Sequence, residues 1–100
     1  MTQLTLHIAA NHPTGAGHFP GNPIIPGALL LAEVLRCIER AEGVHFSACN
    51  VKNAKFLHPA RPGDTVTIEY GRSAQGTLEF QCAVGGSKVL AGAVSATAGA

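Results

Sequence analysis

The chain has 100 residues, 46% of them hydrophobic and 13% charged, with seven Lys+Arg against six Asp+Glu and a net charge of +1 at pH 7. That is one small domain, residues 1–100, around a single core. The near-neutral balance argues against a nucleic-acid binder. No stretch approaches the roughly 18 apolar residues of a membrane span. So low a charge fraction suggests that part of the surface lies under another subunit.

Three cysteines, Cys37, Cys49 and Cys82, have neither CxxC spacing nor a dense disulfide pattern. A structural zinc, any other metal site and an extracellular disulfide framework are therefore not expected, and reduced thiols in a cytoplasmic protein fit better. The opening MTQLTLHIAANHP has no basic run followed by a long apolar one, so it does not read as a signal peptide.

Residues 2–8 alternate, with Leu4, Leu6 and Ile8 on one side and Thr5 and His7 on the other, which predicts a half-buried strand. Residues 9–27 contain four prolines and four glycines, which forbids a long helix or a regular central strand. A shaped loop of that length is often functional. Residues 28–42, ALLLAEVLRCIERAE, make the one good helix, preceded by Pro26 and Gly27 and followed by Gly43 as a C-terminal cap. At 100° per residue, Leu30, Leu31, Val34, Leu35, Ile38 and Ala41 form a broad apolar arc. Glu33, Arg36 and Arg40 share the opposite side, with Ala28 and Ala32 between. So apolar a helix is expected to be largely enveloped by sheet.

Residues 44–57 predict a long strand, bent or bulged near Cys49 and Asn50, and HPARPGD, residues 58–64, a turn. Residues 65–72 and 77–84 alternate, burying Val66, Ile68 and Tyr70 on one and Leu78, Phe80, Cys82 and Val84 on the other. SAQG, residues 73–76, joins them. Gly85 and Gly86 lead into a last strand over residues 87–97. Without a βαβ repeat the pattern is α+β, with one helix covering one face of a mostly antiparallel sheet.

The densest chemical signal is HFPGNPIIPG, residues 18–27. Pro20, Pro23 and Pro26 restrict the backbone, and Gly21 and Gly27 permit close approach. Such a segment can hold His18 at a pocket mouth while free N–H groups at the helix start stabilise a carbonyl oxygen that gains negative charge. A base beside an oxyanion site suits proton abstraction next to a thioester. A loop histidine satisfied within a rigid turn fits the same residues.

HFPGNPIIPG, the helix after it and KFLHPARPGDTVTIEY resemble the hotdog-fold 3-hydroxyacyl-(acyl carrier protein) dehydratases, in particular their short hydroxymyristoyl-carrier-protein dehydratase-like branch. The resemblance runs over residues 3–96. It implies a central helix wrapped by a curved five-stranded antiparallel sheet, and active sites at a dimer interface. It implies that His18 removes the C2 proton, that the amide of Gly27 holds the thioester carbonyl beside Pro26, and that water leaves from C3 to give a trans-2-enoyl product. No cofactor is implied, because the substrate rides on the phosphopantetheine of an acyl carrier protein. The partners implied are that carrier and a second subunit, in a homodimer, a heterodimer with a related chain, or a higher oligomer.

The family's acid, which handles the departing hydroxyl from the partner's helix, falls fourteen residues after the motif histidine. That position is Ala32 here, and Glu33 follows it. Adjacent helical residues point about 100° apart, so Glu33 is either a displaced acid or a solvent-side carboxylate beside Arg36 and Arg40. Three functions are therefore in view: an active dehydratase, a degenerate subunit that pairs with an active homologue, and an acyl thioesterase on the same fold. Leu30, Leu31 and Phe56 are candidates to line an acyl tunnel. Lys52, Lys55 and Arg61, or Arg36 and Arg40, are candidates to meet an acidic carrier. His7, His12, Asn22, His45 and His58 read as turn, edge or surface residues, and Cys37 as a small buried hydrophobe.

Overall fold

In the computed structural model, residues 1–10 and 24–98 are described. They form β1 (Thr2–His7), α1 (Gly27–Glu42), β2 (Phe46–Phe56), β3 (Thr65–Arg72), β4 (Leu78–Val84) and β5 (Ser87–Ala98). The strands pair antiparallel into one sheet of order β1-β3-β4-β5-β2. The sheet curves around α1, which is the expected hotdog fold.

Helix α1 begins at Gly27 because Pro26, with φ −55° and ψ 139°, is extended while its carbonyl already accepts from Leu29 and Leu30 at 3.0 Å. It ends at Gly43, whose φ of 69° a residue with a Cβ adopts only at a cost. The Gly43 and Val44 amides return to the carbonyls of Arg40 and Glu39. Leu30, Val34 and Ile38, one turn apart, are fully buried against the sheet. The helix is less enveloped than the sequence suggests: Leu31 and Leu35 are half-buried and Ala41 is exposed. A single sheet covers one stripe of a helix, and the flanks of the apolar arc stay at its margin.

The strand alternation holds where the sheet is two-sided. Val66, Ile68 and Tyr70 of β3 and Leu78, Phe80 and Cys82 of β4 are buried, whereas Val84 is half-buried at the end of its strand. Burial pushes the Cys82 thiol up to about 12, so it stays neutral in the core. The Tyr70 hydroxyl donates to Glu42 Oε2 at 3.0 Å, tying the sheet to the last turn of the helix. Burial first, and this carboxylate second, raise its pKa. At the same end Glu39 Oε2 accepts the Phe46 amide at 2.6 Å and lies 3.2 Å from His45 Nδ1, fixing the entry into β2.

Strand β2 departs from its neighbours. It is an edge strand, mostly exposed, and its register against β5 shifts between Phe46 and Ala48 and again between Val51 and Asn53. The irregularities flank Cys49 and Asn50 rather than falling on them. At the second shift the β2 backbone closes onto Gly92. A Cβ there would lie 2.7 Å from the Asn53 carbonyl oxygen and 3.1 Å from the Phe80 ring. A backbone oxygen cannot step aside as a side-chain end does, so Gly92→Ala is expected to cost about 1–3 kcal/mol. Equilibrium urea unfolding checks this; a midpoint equal to wild type would contradict it.

Candidate active site

The start of α1 faces the segment that follows β2. The Ile25 amide donates to the Ala60 carbonyl at 2.7 Å, and the Leu57 amide to the Val89 carbonyl at 3.0 Å. These two bonds pin the approach to the helix and the exit from β2 side by side. Between them lies an apolar cavity of about 240 Å³ lined by Ile24, Ile25, Pro26, Gly27, Leu30 and residues 56–60.

Gly27 and Ala28, as the first helical residues, have no carbonyl one turn earlier within the helix to accept from their amides. The helix dipole adds partial positive charge at this end. An apolar chamber beside such amides can take an acyl chain and stabilise a carbonyl oxygen at its head. Gly27 is bare for a reason that the structure makes concrete. A Cβ on it would lie 2.9 Å from two atoms of the Phe56 ring, so the ring fills the place of the missing side chain.

Four sequence candidates, Pro26, Gly27, Leu30 and Phe56, therefore meet at one chamber. Leu31 and Ala32 do not line it and are half-buried elsewhere on α1. Glu33 lies in a separate groove of about 220 Å³ with Leu6, Arg36 and Arg40, on the side that its helical phase indicates. His18, His12 and Asn22 lie outside the described residues. Among the described residues no cluster of His, Cys, Asp and Glu is arranged to hold a metal ion, and no helix is long and apolar enough to cross a membrane.

Leu57 and His58 line the chamber and escaped the sequence reading, which placed His58 in an ordinary turn. His58 is the one ionisable side chain among the described residues that line it. The one hint in the sequence was position: KFLHP runs out of the end of a strand, and only the fold carries that strand's end to the helix start.

A family model described as ApeI-like, ApeI dehydratase, matches residues 1–93. The 3-hydroxyacyl-[acyl-carrier-protein] dehydratase FabZ of Chlamydia trachomatis serovar L2 is 35% identical over 101 aligned positions, covering 85% of this chain and 63% of that protein. The chain thus spans less than two thirds of that relative's length. Among solved structures, an uncharacterized protein from Erwinia carotovora subsp. atroseptica superposes with a TM-score of 0.75 at 26% identity, covering 96% of this chain and 82% of that one. The dehydratase heterocomplex ApeI:P from Xenorhabdus doucetiae gives a TM-score of 0.73 at 23% identity, with coverages of 94% and 84%. At that identity the second match speaks for the fold alone.

Proposed function

The chain belongs to the ApeI-like dehydratase family, and from this we propose that it converts a carrier-bound 3-hydroxyacyl thioester into the trans-2-enoyl thioester. The observation that supports this most is the apolar chamber against the start of α1, lined by the last four residues of HFPGNPIIPG. The acyl group enters the chamber and its carbonyl oxygen accepts from the Gly27 amide. His18 takes the C2 proton, the electron pair passes into the carbonyl as an enolate, and it returns to form the C2–C3 double bond. The C3 hydroxyl departs as water once an acid supplies its proton. That acid comes from a partner's helix, as Glu33 standing in for the position that Ala32 occupies.

A second subunit completes this arrangement. The outer edge of β2 has no strand partner among the described residues, and Val51 on it is half-exposed. Edges of this kind pair with another chain. Lys52, Lys55 and Arg61 lie on β2 and the following turn, and their positive charge would attract an acidic carrier protein. The three free cysteines fit a cytoplasmic setting.

One observation favours a second reading. Ala32 has no proton to give, and Glu33 shares its groove with Arg36 and Arg40 rather than with the Gly27 chamber of its own chain. A heterodimer with a related chain that carries the acid would then be the working enzyme. The test follows enoyl formation from 3-hydroxyacyl-pantetheine thioesters by ultraviolet absorbance. Turnover by the purified protein alone is expected. Turnover only after adding a homologous subunit would replace the homodimer by the mixed pair. Thiol release without enoyl formation would replace dehydration by thioester hydrolysis.

A further inference from the structure

We propose that the Phe56 ring sets the acyl length that the chamber accepts, stopping the chain at a short group where it stands and admitting a longer one when it turns outward. This rests on the reading above that the chamber takes an acyl thioester. Phe56 is the last residue of β2 and pairs with Leu90, yet its side chain is 50% exposed. Its ring atoms lie 2.9–3.1 Å from where Gly27 would carry a Cβ, so the ring rests on the first turn of α1 as part of the chamber wall.

The backbone on either side is held by the Ile25–Ala60 and Leu57–Val89 hydrogen bonds and cannot move apart without breaking them. A half-exposed aromatic side chain, in contrast, changes rotamer without them, and such motion is fast. Leu57 and His58 are exposed lining residues too, but the Phe56 ring is the one that packs against Gly27, so the chamber's capacity there depends on where that ring stands. A cavity of roughly 150 Å³ holds a six-carbon ring. The chamber, at about 240 Å³, takes a short acyl group with the ring in place. A long chain needs the ring's volume too.

The test compares three lengths of substrate, with four, eight and twelve acyl carbons, on wild type, Phe56→Ala and Phe56→Trp. One methylene in an apolar pocket changes discrimination by about 10-fold or more. Phe56→Ala is expected to raise the twelve-to-four-carbon ratio of kcat/KM by at least about tenfold, and Phe56→Trp to lower it. Equal ratios in all three proteins would overturn the proposal. A purely structural ring would lower the melting temperature and scale all three lengths together, which also overturns it.

Calorimetric binding of the matching thioether analogues, which cannot react, separates this from the assigned chemistry. Gly27→Ala joins that arm, because its new methyl group displaces the ring; it too is expected to favour the long analogue. A shifted binding ratio with no enoyl formation by any protein would keep the length control and remove the dehydration. An unshifted ratio alongside normal dehydration would do the reverse. Circular dichroism confirms folding, and Phe56→Leu replaces Phe56→Ala if the latter unfolds.

Discussion

Exchanging His18 for alanine is expected to lower kcat/KM for dehydration by about 10² to 10⁴, the usual loss on removing a positioned acid or base. The C2 proton of a thioester is weakly acidic, and two groups share the work of removing it. One takes the proton and the other holds the charge that develops on the carbonyl oxygen. The start of α1 is suited to the second task, because Gly27 presents its amide at the wall of an apolar chamber. An apolar lining lowers the local dielectric, and a hydrogen bond to a developing oxyanion counts for more there. HFPGNPIIPG supplies His18 nine residues before Gly27, on a backbone limited by Pro20, Pro23 and Pro26. A variant with an unchanged rate would remove His18 from the reaction.

Restoring a carboxylate with Ala32→Glu is expected to raise dehydration by about 10² to 10⁴ over wild type, the mirror image of losing an acid. Ala32 is half-buried in the second turn of α1. Helices tolerate the residue well, so the exchange costs little stability. Glu33 delivers that proton less effectively, since its direction differs by about 100° and its groove contains two arginines. Initial rates on 3-hydroxyacyl-pantetheine thioesters measure the effect. A rate equal to wild type would mean that Glu33 across the dimer already serves as well as a carboxylate at position 32, and Glu33→Gln would then lower the reaction by a similar factor. Ala32→Gln is the control, because it brings the bulk and hydrogen bonding of the new side chain without a transferable proton.

Much of the fold was legible in local chemistry. Period-two alternation placed β1, β3 and β4 to within a residue or two, since each presents one face to the core. Pro26 and Gly43 bracketed the helix through their backbone preferences alone. The line of Leu30, Val34 and Ile38 followed from helical phase, and so did the segregation of Glu33 toward Arg36 and Arg40. Strand β2 was harder to read. Its pattern, FSACNVKNAKF, has no clean alternation because it is an edge strand that contacts the sheet through one neighbour and shifts register twice.

By itself, then, the amino-acid sequence determined the element order, the helix limits, the core faces and the resemblance carried by HFPGNPIIPG, all of which depend on residues close together in the chain. The tertiary structure alone decided that residues 56–60 close the chamber at Gly27, that the Phe56 ring stands in for the missing Cβ, and that Gly92 must stay bare beneath Asn53. These contacts join segments about thirty to forty residues apart in the numbering. They arise because the sheet order places β2 beside β5 rather than beside β3, its neighbour in sequence, and no local propensity encodes that choice.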